Sequence, residues 1–209
     1  MDGLVSNIGL ISGVGGGGAA PNTIVVAGFA GLVAGAISMA LGEYTSVRTQ
    51  TEQVAAEVAK ERRELERNPE VEIDELAHMW IARGLPSDLA HEVARVVHTN
   101  PEEALRIHAQ EELGVDPTEQ PSPWTAAISS FCFFSVGALI PVLPYLVGFR
   151  ELWMALVAGG LGLFLAGALV ARFTNRRWWL SGLRQLLLGA AAAAATYLIG
   201  MLIGGAAGL

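Results

Sequence analysis

The chain has 209 residues, 52% of them hydrophobic and 16% charged, with a formal net charge of −7. It is too apolar for an ordinary soluble domain and too charged for a chain made only of membrane spans. Eighteen of the 20 acidic residues fall between Glu43 and Glu119 against eight basic ones, a local net charge of about −10 that excludes a nucleic-acid surface and suits cations.

Residues 1–20 are apolar and glycine-rich, and are expected to form a first transmembrane helix, short for a span of about 20 residues. The amino end carries Asp2 and no positive segment, so no cleavable leader is expected. Pro21, Asn22 and Thr23 read as a turn, with Asn22 or Thr23 capping the next helix. Residues 23–41 hold no formal charge and predict a second span, whose small residues permit close helix contact. The helical pattern continues into polar sequence as far as Arg67, where Asn68 and Pro69 end it.

Three shorter helices are expected next, over residues 70–82, 86–97 and 101–113, the last two started by Pro86 and by Thr99 or Asn100. Gly84 and Gly114 close the first and third. Residues 115–124 hold three prolines and form a linker. A third span over 126–148 contains Pro141 and Pro144, which are expected to kink it. Residues 152–171 and 186–205 predict spans four and five, separated by Arg172, Arg176, Arg177 and the interfacial pair Trp178 and Trp179. The sole cysteine, Cys132, lies in an apolar run, so disulfides play no part. The predicted class is an all-α membrane protein with five spans: residues 1–44 hold spans one and two, 45–120 an acidic helical domain, and 121–209 spans three to five. Lys/Arg asymmetry places the amino end and the acidic domain in the cytosol.

Helical spacing groups the acidic residues. Glu57, Glu61 and Glu64 share one face, Glu72, Glu75 and Met79 a second, and His108, Glu111 and Glu112 a third. Two readings stay open here. One is a solvated face paired with Lys60, Arg62, Arg63 and Arg67. The other is a divalent-cation site, whose mixed donors suit Fe²⁺, Mn²⁺ or Zn²⁺ over Mg²⁺ or Ca²⁺. Asp2, Asn7, Ser38, Met39 and Glu43 are the polar or thioether groups of the first two spans. An ionisable group there is a functional-site candidate, whereas Met39 is equally a packing residue. His78, His91 and His98 are expected to be surface or core histidines. No nucleophile elbow, phosphate-binding loop or paired CxxC is present, so an enzyme is not expected.

These residues carry a resemblance. DGLVSN at 2–7, SMALGEYTSVRTQTE at 38–52, GALIPVLPY at 137–145 and SGLRQLLLGAAAAAATYLIG at 181–200 resemble the vacuolar iron transporter family, which includes the yeast vacuolar iron importer and plant nodulin-like relatives. The resemblance implies five transmembrane helices per subunit, a homodimer, and a cytosolic metal-binding domain between helices two and three. It implies a metal site of two Glu pairs, Glu61 with Glu64 and Glu72 with Glu75, together with Glu112. The family's eukaryotic members place two Met residues where this chain has His108 and Ala109, so His108 is expected to substitute as a ligand. Asp2 and Met39 match the family's intramembrane path, with Glu43 at its entrance. The family carries residues before its DGL motif that this sequence lacks.

The resulting expectation is a bacterial-type transporter in the cell membrane that exports Fe²⁺ from the cytosol by proton antiport, with no resident cofactor. A Mn²⁺ or broad divalent exporter, and a membrane-anchored metal buffer or sensor that does not transport, are the alternatives.

Overall fold

A computed structural model describes residues 1–207. Among the described residues every regular element is helical: α1 (Asp2–Gly16), α2 (Pro21–Arg67), α3 (Pro69–Ala82), α4 (Ser87–His98), α5 (Pro101–His108), α6 (Pro123–Leu139), α7 (Leu143–Leu146), α8 (Leu152–Phe173) and α9 (Trp178–Ala207). A π-helical turn, Ala109–Leu113, extends α5, and a 3-10 turn, Ile140–Val142, joins α6 to α7. Asn22 and Thr23 lie inside α2, because Pro21, lacking an N–H, takes its first position. The chain divides into two compact units: an apolar one, residues 1–43 and the chain from 124 onward, and an acidic one, residues 44–123.

Among the described residues of the apolar unit four helices are long and apolar enough to cross a membrane: α2, α6 with α7, α8 and α9. The fifth expected span, α1, has 15 residues, about 22 Å at 1.5 Å per residue against a hydrocarbon core of ~30 Å. It is nonetheless central to the packing. Leu4 and Ile8 pack with Leu163 of α8, and Ile11 with Ile24, Val142 and Ala155. Backbones approach closely around it: a Cβ on Gly3 would run into the Phe134 carbonyl, and one on Gly200 into that of Gly13. Asn7, fully buried, donates through Nδ2 to the Ala138 carbonyl at 2.5 Å.

Helix α8 shows why this unit suits lipid. Ala155, Gly159, Leu163, Gly167 and Ala171, four residues apart, form its buried stripe. Leu161, Leu165 and Leu169 point outward at 59, 64 and 61% exposure, a continuous apolar face that water would not tolerate. Pro141 lies in the 3-10 turn between α6 and α7, so the third span changes helix type where the sequence placed its kink.

In the acidic unit Ile73, Leu76 and Ala77 of α3 pack on Ala90 and Ala94 of α4. The breaks are local chemistry. Pro69 opens α3, and Gly84 closes it with φ 101°. Asn100 caps α5, its Oδ1 accepting from the N–H groups of Glu102 and Glu103 at 3.2 and 3.4 Å. Gly114 ends the π turn in the left-handed region. The guanidinium of Arg62 on α2 grips both carboxylate oxygens of Glu102 on α5, at 2.7 and 3.0 Å.

Candidate metal centre

Within the acidic unit four side chains from separate turns converge. Glu61 comes from α2, Glu72 from the first turn of α3, His108 from the last residue of α5 and Glu112 from the π turn. One donor atom of each lies within 4.8 Å of all the others. Donors around one ion with bonds of ~2.1 Å stand about 3.4 Å apart in a tetrahedral site, the scale on which these four side chains cluster. Glu61, Glu72 and His108 are buried at 6, 7 and 0% exposure, and Glu112 forms the outer edge.

His108 is the hub. Its Nδ1 lies 3.0 Å from Glu112 Oε1, 3.0 Å from Glu61 Oε1 and 3.9 Å from Glu72 Oε2. Only the contact to Glu112 has hydrogen-bond geometry; Glu61 Oε1 stays buried without a hydrogen-bond partner. A buried carboxylate oxygen with no donor is costly, and the defect is one that a cation repairs.

The electrostatics agree. Burial, then the charges of Glu112, Glu72, Glu64 and Glu75, push the Glu61 carboxyl up to about 7. Burial, followed by nearby carboxylates, also raises Glu72 and Glu112. Burial and then His98 push the His108 imidazole down to about 4. The 3.0 Å separation of Glu61 and His108 resembles an ion pair, but desolvation of both groups dominates. Metal-free, the centre is therefore an acid beside a neutral imidazole. It offers carboxylate and imidazole donors once protons leave, the set that borderline divalent transition metals take.

The structure sorts the residues grouped by spacing. Glu64 is half-buried, 3.6 Å from Lys60, and Glu75 is exposed. Both stand outside the four-donor group, yet their charges reach Glu61 and Glu72. Glu57 is exposed. Glu111 turns away to Arg83 and to Trp80 Nε1, and Met79 packs on the unit's apolar core. In the apolar unit Asp2 accepts from Ser6 Oγ at 3.0 Å, while Met39 and Glu43, one turn apart on α2, are both exposed.

One histidine gains a place that spacing did not indicate. The rings of His98 and His108 meet edge to face, centroids 5.2 Å apart. His98 Nδ1 lies 2.8 Å from the Ala94 carbonyl, which can only accept, so the ring's proton sits there and Nε2 is bare. That Nε2 and the Nε2 of His108 are both buried without a partner. The two residues come from different helices ten positions apart, and no helical spacing relates them.

A family model described as the VIT family matches residues 1–201. A vacuolar iron transporter of Acanthamoeba castellanii is 40% identical over 156 residues, 69% of this chain; the match spans only 59% of that relative's length. Vacuolar iron transporter 2 of Oryza sativa subsp. japonica is 30% identical over 94% of this chain and 81% of its own length. Vacuolar iron transporter 1 of Arabidopsis thaliana is 29% identical over 97% of this chain and 82% of its own length.

Proposed function

The chain belongs to the VIT family, and from that premise we propose that it exports Fe²⁺ from the cytosol across a membrane in exchange for protons. It is a transporter, not an enzyme. The observation that carries the reading is the convergence of Glu61, Glu72, His108 and Glu112, with an unsatisfied carboxylate oxygen at its heart. In this reading those four side chains hold the captured cation, and Glu64 and Glu75 add charge that draws it in. The acidic unit and the amino end face the cytosol of a bacterial cell. Metal then passes to Glu43, Met39 and Asp2. A carboxylate in a low-dielectric path binds proton and metal in competition, which is the basis of exchange. Two copies of the chain form a homodimer and share the path, doubling the few polar groups one subunit offers.

The donor set also favours a second reading, a Mn²⁺ or broader divalent exporter. It holds carboxylate and imidazole but no sulfur, since Met79 lies in the apolar core, and such donors discriminate weakly between Fe²⁺ and Mn²⁺. Flux of Fe²⁺ and of Mn²⁺ into proteoliposomes under an imposed pH gradient tests both. Proton-driven Fe²⁺ flux is expected. Mn²⁺ flux alone shifts the reading to the alternative, and binding of metal without any flux makes the protein a buffer or sensor.

A further inference from the structure

We infer that the turn between α8 and α9 is a binding site for the phosphate headgroup of an anionic phospholipid. Four arginines, Arg172, Arg176, Arg177 and Arg184, crowd into thirteen residues, and no Asp or Glu follows Glu151 in the sequence. Among the described residues none of the four forms an ion pair with a carboxylate. They gather around open space. Arg176, Arg177 and Arg184 line a cavity of about 340 Å³ with the buried Ser181. Arg172 and Arg176 line an adjoining one of about 540 Å³ with Asn175 and Trp178.

Local backbone explains the clustering. Asn175 adopts a left-handed conformation, φ 51°, and the Arg176 N–H donates back to the Ala171 carbonyl at 3.3 Å, folding the turn onto the end of α8. Arg177, Ser181 and Arg184 then fall on one face at the start of α9. That 30-residue helix points its positive end and unpaired first-turn N–H groups at the same place. Unpaired guanidinium forks beside a helix N-terminus match a phosphate, which accepts paired hydrogen bonds.

A soluble phosphate would satisfy the arginines alone. The aromatic rim points to the lipid source: Phe173, Trp178 and Trp179, on the same turn, are 85, 58 and 45% exposed. Their rings belong where headgroups meet acyl chains, and basic pockets at helix ends are where anionic headgroups dock. The site lies wholly within the apolar unit and does not depend on which metal is carried.

The test is thermal unfolding of the delipidated full-length protein in mild detergent, with added phosphatidylglycerol, phosphatidylcholine or inorganic phosphate. Phosphatidylglycerol near 100 times its Kd is expected to raise the melting temperature by roughly 5 °C, and the other two to leave it unchanged. R176Q/R184Q is expected to lose the shift while keeping divalent-metal binding. Should the double variant not fold, R177Q and R184Q singly are read the same way and should reduce the shift. Equal shifts with phosphatidylcholine, a full shift with inorganic phosphate, or an undiminished shift in the variants would each overturn the assignment, leaving the arginines a topological or soluble-anion role.

Discussion

The Glu61 carboxyl and the His108 imidazole lie 3.0 Å apart, yet burial drives them away from an ion pair, the acid up to about 7 and the base down to about 4. The pair thus holds its acid proton near neutrality. Binding a divalent cation must expel it. Metal affinity is therefore expected to rise with pH, by about tenfold per unit below pH 7 from Glu61 alone. Titrating the full-length protein with Zn²⁺ or Fe²⁺ at several pH values, in buffers of different ionisation enthalpy, gives both the affinity and the protons released. An affinity flat between pH 5.5 and 7 contradicts this.

Without metal the same shifts set stability. Glu61, Glu72 and Glu112 have folded pKa values above the ordinary 4.5, so their contributions are full below that value and are lost as pH rises through the folded values. His108, lowered from 6.5, contributes oppositely: its stability is present above 6.5 and lost as pH falls toward 4. His108 offsets Glu61 between about 4.5 and 6.5, and the other two carboxyls tip the balance. The acidic unit, with chelator present, is expected to melt at lower temperature as pH rises from about 5 to 7.5. Saturating metal should reverse the trend, and a chelated protein that stabilises over that range would refute the assignment.

The geometry separates an inner group of ligands from an outer one. Glu61→Gln and Glu72→Gln are expected to cut metal affinity by more than about 100-fold, since each replaces an anionic carboxylate donor inside the group with a neutral amide. Glu64→Gln and Glu75→Gln, which alter only the surrounding field, should cost about tenfold or less. Competition of the purified variants against a metal-sensitive dye ranks them. Equal losses from all four would put Glu64 and Glu75 in direct contact with the ion.

Much of this was legible in the sequence, and what was not has identifiable causes. The run from residue 23 to Arg67 holds no proline and, past Gly42, no glycine, which predicts the continuous α2, and Asn68 with Pro69 marks its end. Spacing finds that Glu61 and Glu64, or His108 and Glu112, share a face, because helical period relates neighbours on one element. It does not say which face meets another helix. So Glu111 falls into the His108 group by spacing but pairs with Arg83 in the fold, and Met79 joins the Glu72 face but enters the core. The π turn at Ala109–Leu113 carries no sequence mark, though it sets where Glu112 hangs. α1 reads as a span by composition, but its regular helix stops at Gly16, where glycines replace helix formers.

The buried, unpartnered Nε2 of His98 makes that ring, edge to face with His108, the expected acceptor once it turns toward His108 Nε2. When His108 binds metal through Nδ1, its proton moves to Nε2 and needs a buried acceptor. His98→Phe preserves an aromatic ring against His108 while removing that acceptor. Metal affinity is expected to fall by about tenfold with the fold intact by circular dichroism. Unchanged affinity would return His98 to a packing role.

Met39 and Asp2 decide whether the apolar unit holds a metal path. Met39 is 36% exposed on α2, one turn from Glu43, where a packing residue and a ligand look alike. Met39→Leu conserves volume and, as mere packing, costs under about 1.5 kcal/mol. As a ligand it loses its only donor atom. Asp2→Asn keeps shape and removes the charge for which proton and metal would compete. Both variants are expected to express near the wild-type level and to bind metal normally through Glu61, Glu72, His108 and Glu112. Both are also expected to lose Fe²⁺ flux in proteoliposomes under a pH gradient. Wild-type flux in Met39→Leu would leave Met39 to packing and the path to the carboxylates alone.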